Sequence, residues 1–221
     1  MRRSNHRAAF AQDPKFQERI ARQLQGAHSP SLPSKDVADQ PPATERKPSK
    51  AAERLKRVQH ANQDGRLDSL MLDRDSRVLT VSFPGAKLLS LNTMLRLHDA
   101  KATSLKATWF KRIEALMYEN REIYDEWRQT AVYPLLVEEI YITGEARLLD
   151  HESVSAACKP VIDAFVSNGF LPDDDQKHIA QPLPYTERGE TPGLVISFRP
   201  TEHPWGLISE ETIRASRSLG D

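Results

Sequence analysis

The residues best suited to catalysis are carboxylates in two short segments of the second half of the chain. Asp150 and Glu152 are two positions apart, and Asp173–Asp175 form a run of three aspartates further on. In an extended segment, residues i and i+2 point to the same side, so Asp150 and Glu152 would present their carboxylates together. A third carboxylate from the later run would complete a set of oxygen ligands of the kind that Mg²⁺ and Mn²⁺ prefer.

A lysine between the two acidic segments, Lys159, could assist such a centre. A lysine beside a metal cage can contact a phosphate or orient the attacking water. Spacing alone also allows a simpler interpretation, because Asp-x-Glu pairs and aspartate runs are common in solvated turns and loops. We assign no role to His151, which has no second His or Cys at metal-binding spacing. Cys158 also receives none, since a single cysteine is more often a small buried apolar side chain.

Both strands and helices are expected to position these residues. Alternating apolar residues predict strands at 77–83, 135–143 and 194–198. Apolar stripes at helical spacing and end signals predict helices at 104–116, 120–129, 160–168 and 210–216. Because these elements follow no regular βαβ rhythm, we expect an α+β, or mixed α/β, domain with a small mixed sheet and packed helices.

The first third of the chain has the composition of an appendage. Residues 28–50 contain five prolines and almost no large apolar side chain, which indicates an extended, solvated linker. Short helices are predicted on either side of it, at 13–25 and 49–63. We therefore divide the chain into three parts: a flexible, mildly basic arm at 1–75, a folded domain at 76–200 and a C-terminal tail with a short helix at 201–221.

Charge is distributed unevenly along a chain whose formal net charge is zero. Residues 1–75 contain 15 of the 31 basic and 10 of the 31 acidic residues, so the rest of the chain is acidic. This suits a protein that reaches phosphates with its arm and holds a carboxylate cluster in its domain, although such differences also arise by chance.

Composition excludes several other classes of protein. Only 38% of the residues are hydrophobic and the mean hydropathy is −0.59, so we expect part of the chain to be poorly ordered. No apolar run is long enough to cross a bilayer, and the N-terminus lacks the apolar stretch of a secretory signal. We therefore expect no membrane partner, and the single cysteine favours a cytoplasmic location.

The segment from Lys159 to Gln176 resembles the most recognisable part of the RusA family of crossover junction endodeoxyribonucleases, the Holliday junction resolvases. It reads K-P-V-I-D-A-F-x-x-x-G-F-L-x-D-D-x-Q. The family has a lysine, an (I/F)-D-A-(L/F) helix, a glycine–aromatic turn and Asp-Asp-x-Gln. Residues 150–153, D-H-E-S, stand where the family has D-x-D-N. Residues 81–92, with V-S-F-P-G and S-L-N, resemble its first strand and its asparagine loop, and the resemblance spans about residues 77–200.

This resemblance implies a RusA-like fold and a metal-dependent endonuclease that resolves Holliday junctions or related branched DNA in recombination and repair. Asp150 and Glu152 take the places of paired metal-binding aspartates, Asp174 that of the third carboxylate and Lys159 that of the catalytic lysine. Mg²⁺ is the implied cofactor, with Mn²⁺ as a substitute and no small-molecule cofactor. Residues implied to contact DNA are Asn92, Arg96, Lys101 and Lys106. A two-fold symmetric four-way junction needs two matching cuts, which implies a homodimer.

Three departures from the family pattern keep a second interpretation open. Glu152 is one methylene longer than aspartate, Ser153 replaces the asparagine, and the nine-residue spacing from Asp150 to Lys159 is long. Aligned without a gap, Ser153 and Ser155 would occupy the acid positions. The gapped placement keeps both acids and is preferred here. The other placement describes a catalytically impaired protein that binds branched DNA, and an adaptor with a merely solvated acidic surface is a third possibility.

Overall fold

Five strands form one mixed sheet, and most of the other residues that the structure describes are helical. The computed structural model describes residues 49–95, 99–144 and 148–220. The strands are β1 (Ser69–Asp73), β2 (Val78–Pro84), β3 (Leu135–Thr143), β4 (Ile179–Arg188) and β5 (Gly193–Pro200). The helices are α1 (Lys50–Ala61), α2 (Leu91–Met94), α3 (Asp99–Glu119), α4 (Arg121–Thr130), α5 (His151–Ser167) and α6 (Glu210–Arg217), and a 3-10 turn, Ser218–Gly220, follows α6. The predicted α+β class is confirmed.

The sheet has the strand order β1-β2-β5-β3-β4. Neighbouring strands are antiparallel except β3 and β4, which are parallel. A parallel pair needs a crossover connection, and α5 lies in the segment that joins β3 to β4. The candidate residues from 150 to 175 therefore all belong to this one crossover.

Helix α5 begins at His151, so the predicted start at Pro160 is wrong and Pro160 lies inside the helix. Asp150 caps the helix, because its carboxylate accepts the backbone N–H of Ser153 at 2.7 Å. An interior proline costs roughly 3 kcal/mol because it removes one helical hydrogen bond. Each fully buried Val or Phe stabilises by about 1.5–3 kcal/mol. Val154, Val161 and Phe165 are all fully buried, so together they offset the proline.

The sequence patterns did not predict strands β1 and β4 or the first residues of α3. Helix α3 begins at Asp99, before Ser104, and the short helix α2 lies where a loop was expected. The segment of β4 contains Pro182 and Pro184, and prolines are typical of loops, so its sequence does not indicate a strand. Both prolines are tolerated because β4 is the edge of the sheet. The predicted strands β2, β3 and β5 and helices α4 and α6 are confirmed within a few residues at each end.

The folded unit begins near residue 50, so the predicted boundary at residue 76 is corrected. Contacts assign residues 47–221 to one unit. Leu55 and Val58 of α1 lie in the core, and β1 pairs with β2 and buries Leu70. Composition assigned α1 and β1 to the arm, because the segment is highly charged. The amphipathic spacing of α1 and the short strand β1 are only weak signals of a folded domain. The predicted helix at 13–25 and nearly all of the linker at 28–50 lie outside the described residues.

A buried ion pair ties this early segment to α3. The Arg112 guanidinium donates two hydrogen bonds to Asp68, at 2.6 and 2.7 Å, and a third to the carbonyl of Pro84 at 3.2 Å. Both charged side chains are only 1% exposed. The guanidinium also lies over the rings of Phe83 and Trp109, 5.2 and 5.5 Å from their centroids. Residue 68 is therefore part of the core.

The substitution Asp68→Ala should lower the free energy of unfolding by about 3–5 kcal/mol, because it leaves a buried guanidinium without its anion. Urea unfolding followed by circular dichroism measures this change. Asp64→Ala is the matched control, since Asp64 pairs with Arg66 at the surface and its loss should leave the midpoint nearly unchanged. Equal, small effects of the two substitutions would contradict the placement of this segment in the core.

Candidate active site

Buried hydrogen bonds fix the turn that follows α5. The Tyr124 hydroxyl donates to the carbonyl of Asn168 at 3.0 Å, and the Trp127 indole N–H donates to the carbonyl of Phe170 at 2.8 Å. Between them, Gly169 has a φ of +75°, a conformation that favours glycine. A Cβ at this position would lie 2.8 Å from the Tyr124 hydroxyl oxygen. These contacts hold the turn in one conformation. The turn sets the direction of the acidic loop that follows it, residues 173–175.

The acidic loop is held by its own outer aspartates. The carboxylate of Asp173 accepts the backbone N–H of Asp174 at 2.8 Å. Asp175 lies 2.7 Å from Nδ1 of His178, immediately before β4. These contacts occupy the first and last aspartates of the run and direct the middle one, Asp174, towards α5.

Two carboxylates converge on the ammonium group of Lys159. Asp163, one turn further along α5, lies 2.8 Å from Nζ of Lys159. Asp174 reaches the same nitrogen from the acidic loop and forms a direct ion pair with it. The second oxygen of Asp163 lies 2.7 Å from Nζ of Lys106 on α3. These four residues, which we call the Lys159 cluster, bring Lys159, Asp174 and Lys106 of the predicted residues together.

Asp163 is ionised within the Lys159 cluster. Partial burial acts to raise the pKa of this carboxyl, but the hydrogen bonds from Lys106 and Lys159 outweigh it and hold the pKa below its ordinary value. Sequence reasoning assigned Asp163 no role. Its position four residues after Lys159, on the same face of a helix, was the available signal.

A cavity of about 460 Å³ lies between α3 and α5 beside the Lys159 cluster. Its lining includes the charged side chains of Lys106, Asp163 and Asp174 and the apolar side chains of Phe110 and Pro160. A cavity lined by apolar groups with a few polar ones can hold a polar molecule in a defined orientation. The cluster is therefore accessible to a ligand.

The other predicted acids lie at the N-terminal end of α5, about two helical turns before Lys159. Asp150 is the N-cap and Glu152 is in the first helical turn, so the expected extended geometry of this pair does not occur. A helix rises about 1.5 Å per residue, which places Glu152 about 10 Å from Lys159 along the axis. Within the residues that the structure describes, no three His, Cys, Asp or Glu side chains form a group that could hold a metal ion. The assignment of Asp150 and Glu152 as ligands stays a prediction.

The residues predicted to contact DNA are distributed over two helices. Asn92 is exposed on α2, and Lys101 is exposed on α3 ahead of Lys106. Arg96 lies outside the described residues. Lys106 thus has two candidate roles, since it also pairs with Asp163.

One buried acid near α5 was also missed. Glu139 on β3 is 2% exposed, and its Oε2 has no hydrogen-bond partner in the described part of the protein. Burial raises the pKa of Glu139 to about 8, so this side chain is mostly neutral at pH 7. Burial, with a smaller contribution from Glu139 once that carboxyl ionises, raises the pKa of the Cys158 thiol on α5. Cys158 is therefore a protonated core side chain, in agreement with the sequence interpretation.

No model of a known protein family matches the chain. No curated protein is significantly similar to it either. The resemblance to RusA resolvases is thus carried by the motif residues alone. Among the described residues, no helix combines the length and apolar character that a bilayer crossing requires.

The substitution Glu139→Gln should remove a pH dependence of stability. The unfolded chain releases the Glu139 proton near pH 4.5, whereas the folded chain retains it up to about pH 8. Wild-type stability should therefore fall, relative to the variant, by about 1.4 kcal/mol per pH unit within this window. Urea unfolding at pH 5, 6 and 7 measures the difference. A difference that is constant across these pH values would show that Glu139 is not a buried neutral acid.

Proposed function

We propose that this chain is a metal-dependent endonuclease, a phosphodiester hydrolase that cuts Holliday junctions or related branched DNA in recombination and repair. The single observation that carries the proposal is the ion pair between Lys159 and Asp174. Both residues occupy motif positions of the RusA family, and they come from different elements. A motif lysine and a motif carboxylate that meet beside a cavity are the expected parts of a phosphodiester-cleaving site.

The proposal requires Mg²⁺, with Mn²⁺ as its substitute. Mg²⁺ in proteins is usually held by one or two carboxylates, while substrate phosphates and waters complete its shell. Asp163 and Asp174 fit this requirement, because their oxygens already converge on one cation, the ammonium of Lys159. The resemblance implies Asp150 and Glu152 as further ligands, although they lie at the start of α5, about two helical turns before Lys159. A metal ion held there would activate water and stabilise charge on the leaving oxygen.

The lysines of the Lys159 cluster would hold the scissile phosphate. A lysine ammonium is a compact charge on a flexible stem, so Lys159 can exchange a carboxylate for a phosphate oxygen when DNA enters the cavity. Lys106 keeps Asp163 paired while this exchange occurs. In contact with the phosphate, Lys159 would stabilise the negative charge that grows on it during cleavage.

The proposed partner is four-way or other branched DNA, and the proposed assembly is a homodimer. A four-way junction has two-fold symmetry and needs two matching cuts. Two copies of one active site related by a two-fold axis would meet this requirement.

A second candidate function is binding of branched DNA without cleavage. The observation that favours it is that α5 is continuous from His151 to Ser167, with no irregularity that would mark an insertion. In this helix, Ser155 lies one turn before Lys159. Ser155 and the buried Ser153 then occupy the places of the two acids in an alignment without a gap. In that case Asp150 is only a helix cap and the site lacks two ligands.

Metal binding is the first test. Isothermal calorimetry with millimolar Mg²⁺ or Mn²⁺ should detect binding to the wild-type protein and weaker binding to Asp174→Asn, because one carboxylate ligand is lost. Glu122→Gln, at an exposed carboxylate on α4, is the matched control and should bind as the wild type does. Equally weak binding by the wild type and Asp174→Asn would contradict a metal site at Asp174.

Cleavage of a synthetic four-way junction in Mg²⁺, compared with a linear duplex, is the central test. Removing a proposed ligand, by Asp150→Asn, Glu152→Gln or Asp174→Asn, should abolish cleavage. Junction binding should stay intact or become tighter, since repulsion of phosphate falls. Lys159→Ala should slow cleavage by about two to three orders of magnitude, the scale of one lost electrostatic stabiliser.

Three outcomes of this assay have separate meanings. Cleavage that survives both Asp150→Asn and Glu152→Gln would limit the ligand set to Asp163 and Asp174. Wild-type protein that binds the junction but leaves it uncut in Mg²⁺ and in Mn²⁺ would favour the second candidate function. Protein that neither binds nor cuts the junction would reject both.

A further inference from the structure

The outer face of α1 is strongly basic. Lys50, Arg54, Lys56 and Arg57 are exposed on this twelve-residue helix, and Glu53 is its one acidic residue. No ion pair or hydrogen bond involves these four cationic side chains within the described part of the chain. Among the described residues, these four cations are thus exposed and unpaired.

This basic face is fixed to the domain. Leu55 and Val58 anchor the opposite side of α1 in the core. Directly after the helix, the Asn62 side chain makes two hydrogen bonds with the backbone of Lys87, each of 2.9 Å. The Gln59 amide donates to the hydroxyl of Ser104 on α3 at 2.7 Å. Because three independent contacts hold α1, its cations form a surface of defined position.

The contact with α3 connects this face to the Lys159 cluster. Lys101 lies one helical turn before Ser104 on α3 and is exposed. Lys106 lies just after Ser104, at the cavity wall, and pairs with Asp163. Lys106 lies two residues after Ser104, on a different side of α3, so α3 carries one contact with α1 and another with the Lys159 cluster.

We propose that the basic face of α1 binds the phosphates of a DNA arm whose branch point lies at the Lys159 cluster; this inference rests on the proposed function. A twelve-residue helix is about 18 Å long. Duplex DNA carries one phosphate charge per about 1.7 Å of its axis, so several phosphates lie within reach of such a helix. Lysine and arginine contacts of this kind set affinity and orientation and carry no sequence preference.

The test compares two double variants of the full chain that lose the same charge. Lys56→Gln/Arg57→Gln removes two cations from α1, and glutamine keeps a good helix propensity. Arg77→Gln/Arg214→Gln is the control: both arginines are exposed, neither has a side-chain partner among the described residues, and they lie in the β1–β2 turn and on α6. Arg77 is at the opposite end of β2 from Lys87, which contacts Asn62. Thermal melting should be the same for all three proteins.

Binding of a fluorescent four-way junction is then measured in EDTA by anisotropy over a series of salt concentrations. The α1 variant should bind more weakly at low salt, and its slope of log K against log salt should fall by about two, because two phosphate contacts are lost. The control should keep the wild-type slope. A polyglutamate peptide serves as a second anionic probe.

Each result has one meaning. A wild-type slope in the α1 variant, with normal junction binding by the wild type, would overturn the inference and leave the proposed function intact. An equal loss in the control would also overturn it, since the effect would then follow net charge alone. If the α1 variant loses polyglutamate binding but binds the junction as the wild type does, the partner of this face is an acidic protein. The assignment of DNA as its partner would then be overturned. Wild-type protein that does not bind the junction would reject the proposed function itself.

Discussion

The packing of α5 against the sheet is the constraint on which the rest of the structure depends. Phe165 lies at its centre, with its ring centroid 5.0 Å from that of Phe198 on β5 and 6.2 Å from that of Phe83 on β2. The ring of Phe170, in the turn after the helix, lies 5.4 Å away on another side. Because Phe165 is enclosed by three elements, the rotation of α5 about its axis is fixed. Lys159 and Asp163 are then necessarily on the outer face, beside the cavity.

The charges at this outer face and the charges in the core follow different physical rules. The ion pair of Arg112 with Asp68 is almost inaccessible to water, so breaking it leaves a charge that water cannot solvate. Lys159 is 58% exposed, and partly exposed pairs of this kind contribute about 0–1 kcal/mol to stability. Replacing its partners therefore costs little free energy. A cluster that can exchange partners cheaply is suited to binding an incoming anion, whereas the buried pair is suited to holding the fold.

Strong local patterns made much of the fold predictable. The alternating residues of β3 and the serine cap of α6 are such patterns, and both elements lie where the sequence predicts them. The errors arose where a local sequence pattern disagreed with the tertiary packing of the folded domain. Pro160 marked a helix start by local rules, but burial of the preceding turns extends α5 back to His151. The spacing of Asp163 from Lys159 indicates only their pairing, since the contact of Asp163 with Lys106 depends on how α3 packs against α5.

The two ends of the sheet limit how copies of this protein can associate. An exposed edge strand is a template for a further strand, because its free N–H and C=O groups can pair with another chain. Proline has no backbone N–H, so β4 lacks donors at positions 182 and 184. At the other end, β1 is only five residues long and has polar residues, Ser69 and Asp73, at both of its ends. A continuous sheet across two copies is therefore disfavoured at both edges, which also reduces edge-to-edge aggregation. Among the described residues, side chains on helices and loops are the more suitable surface for an association of two copies.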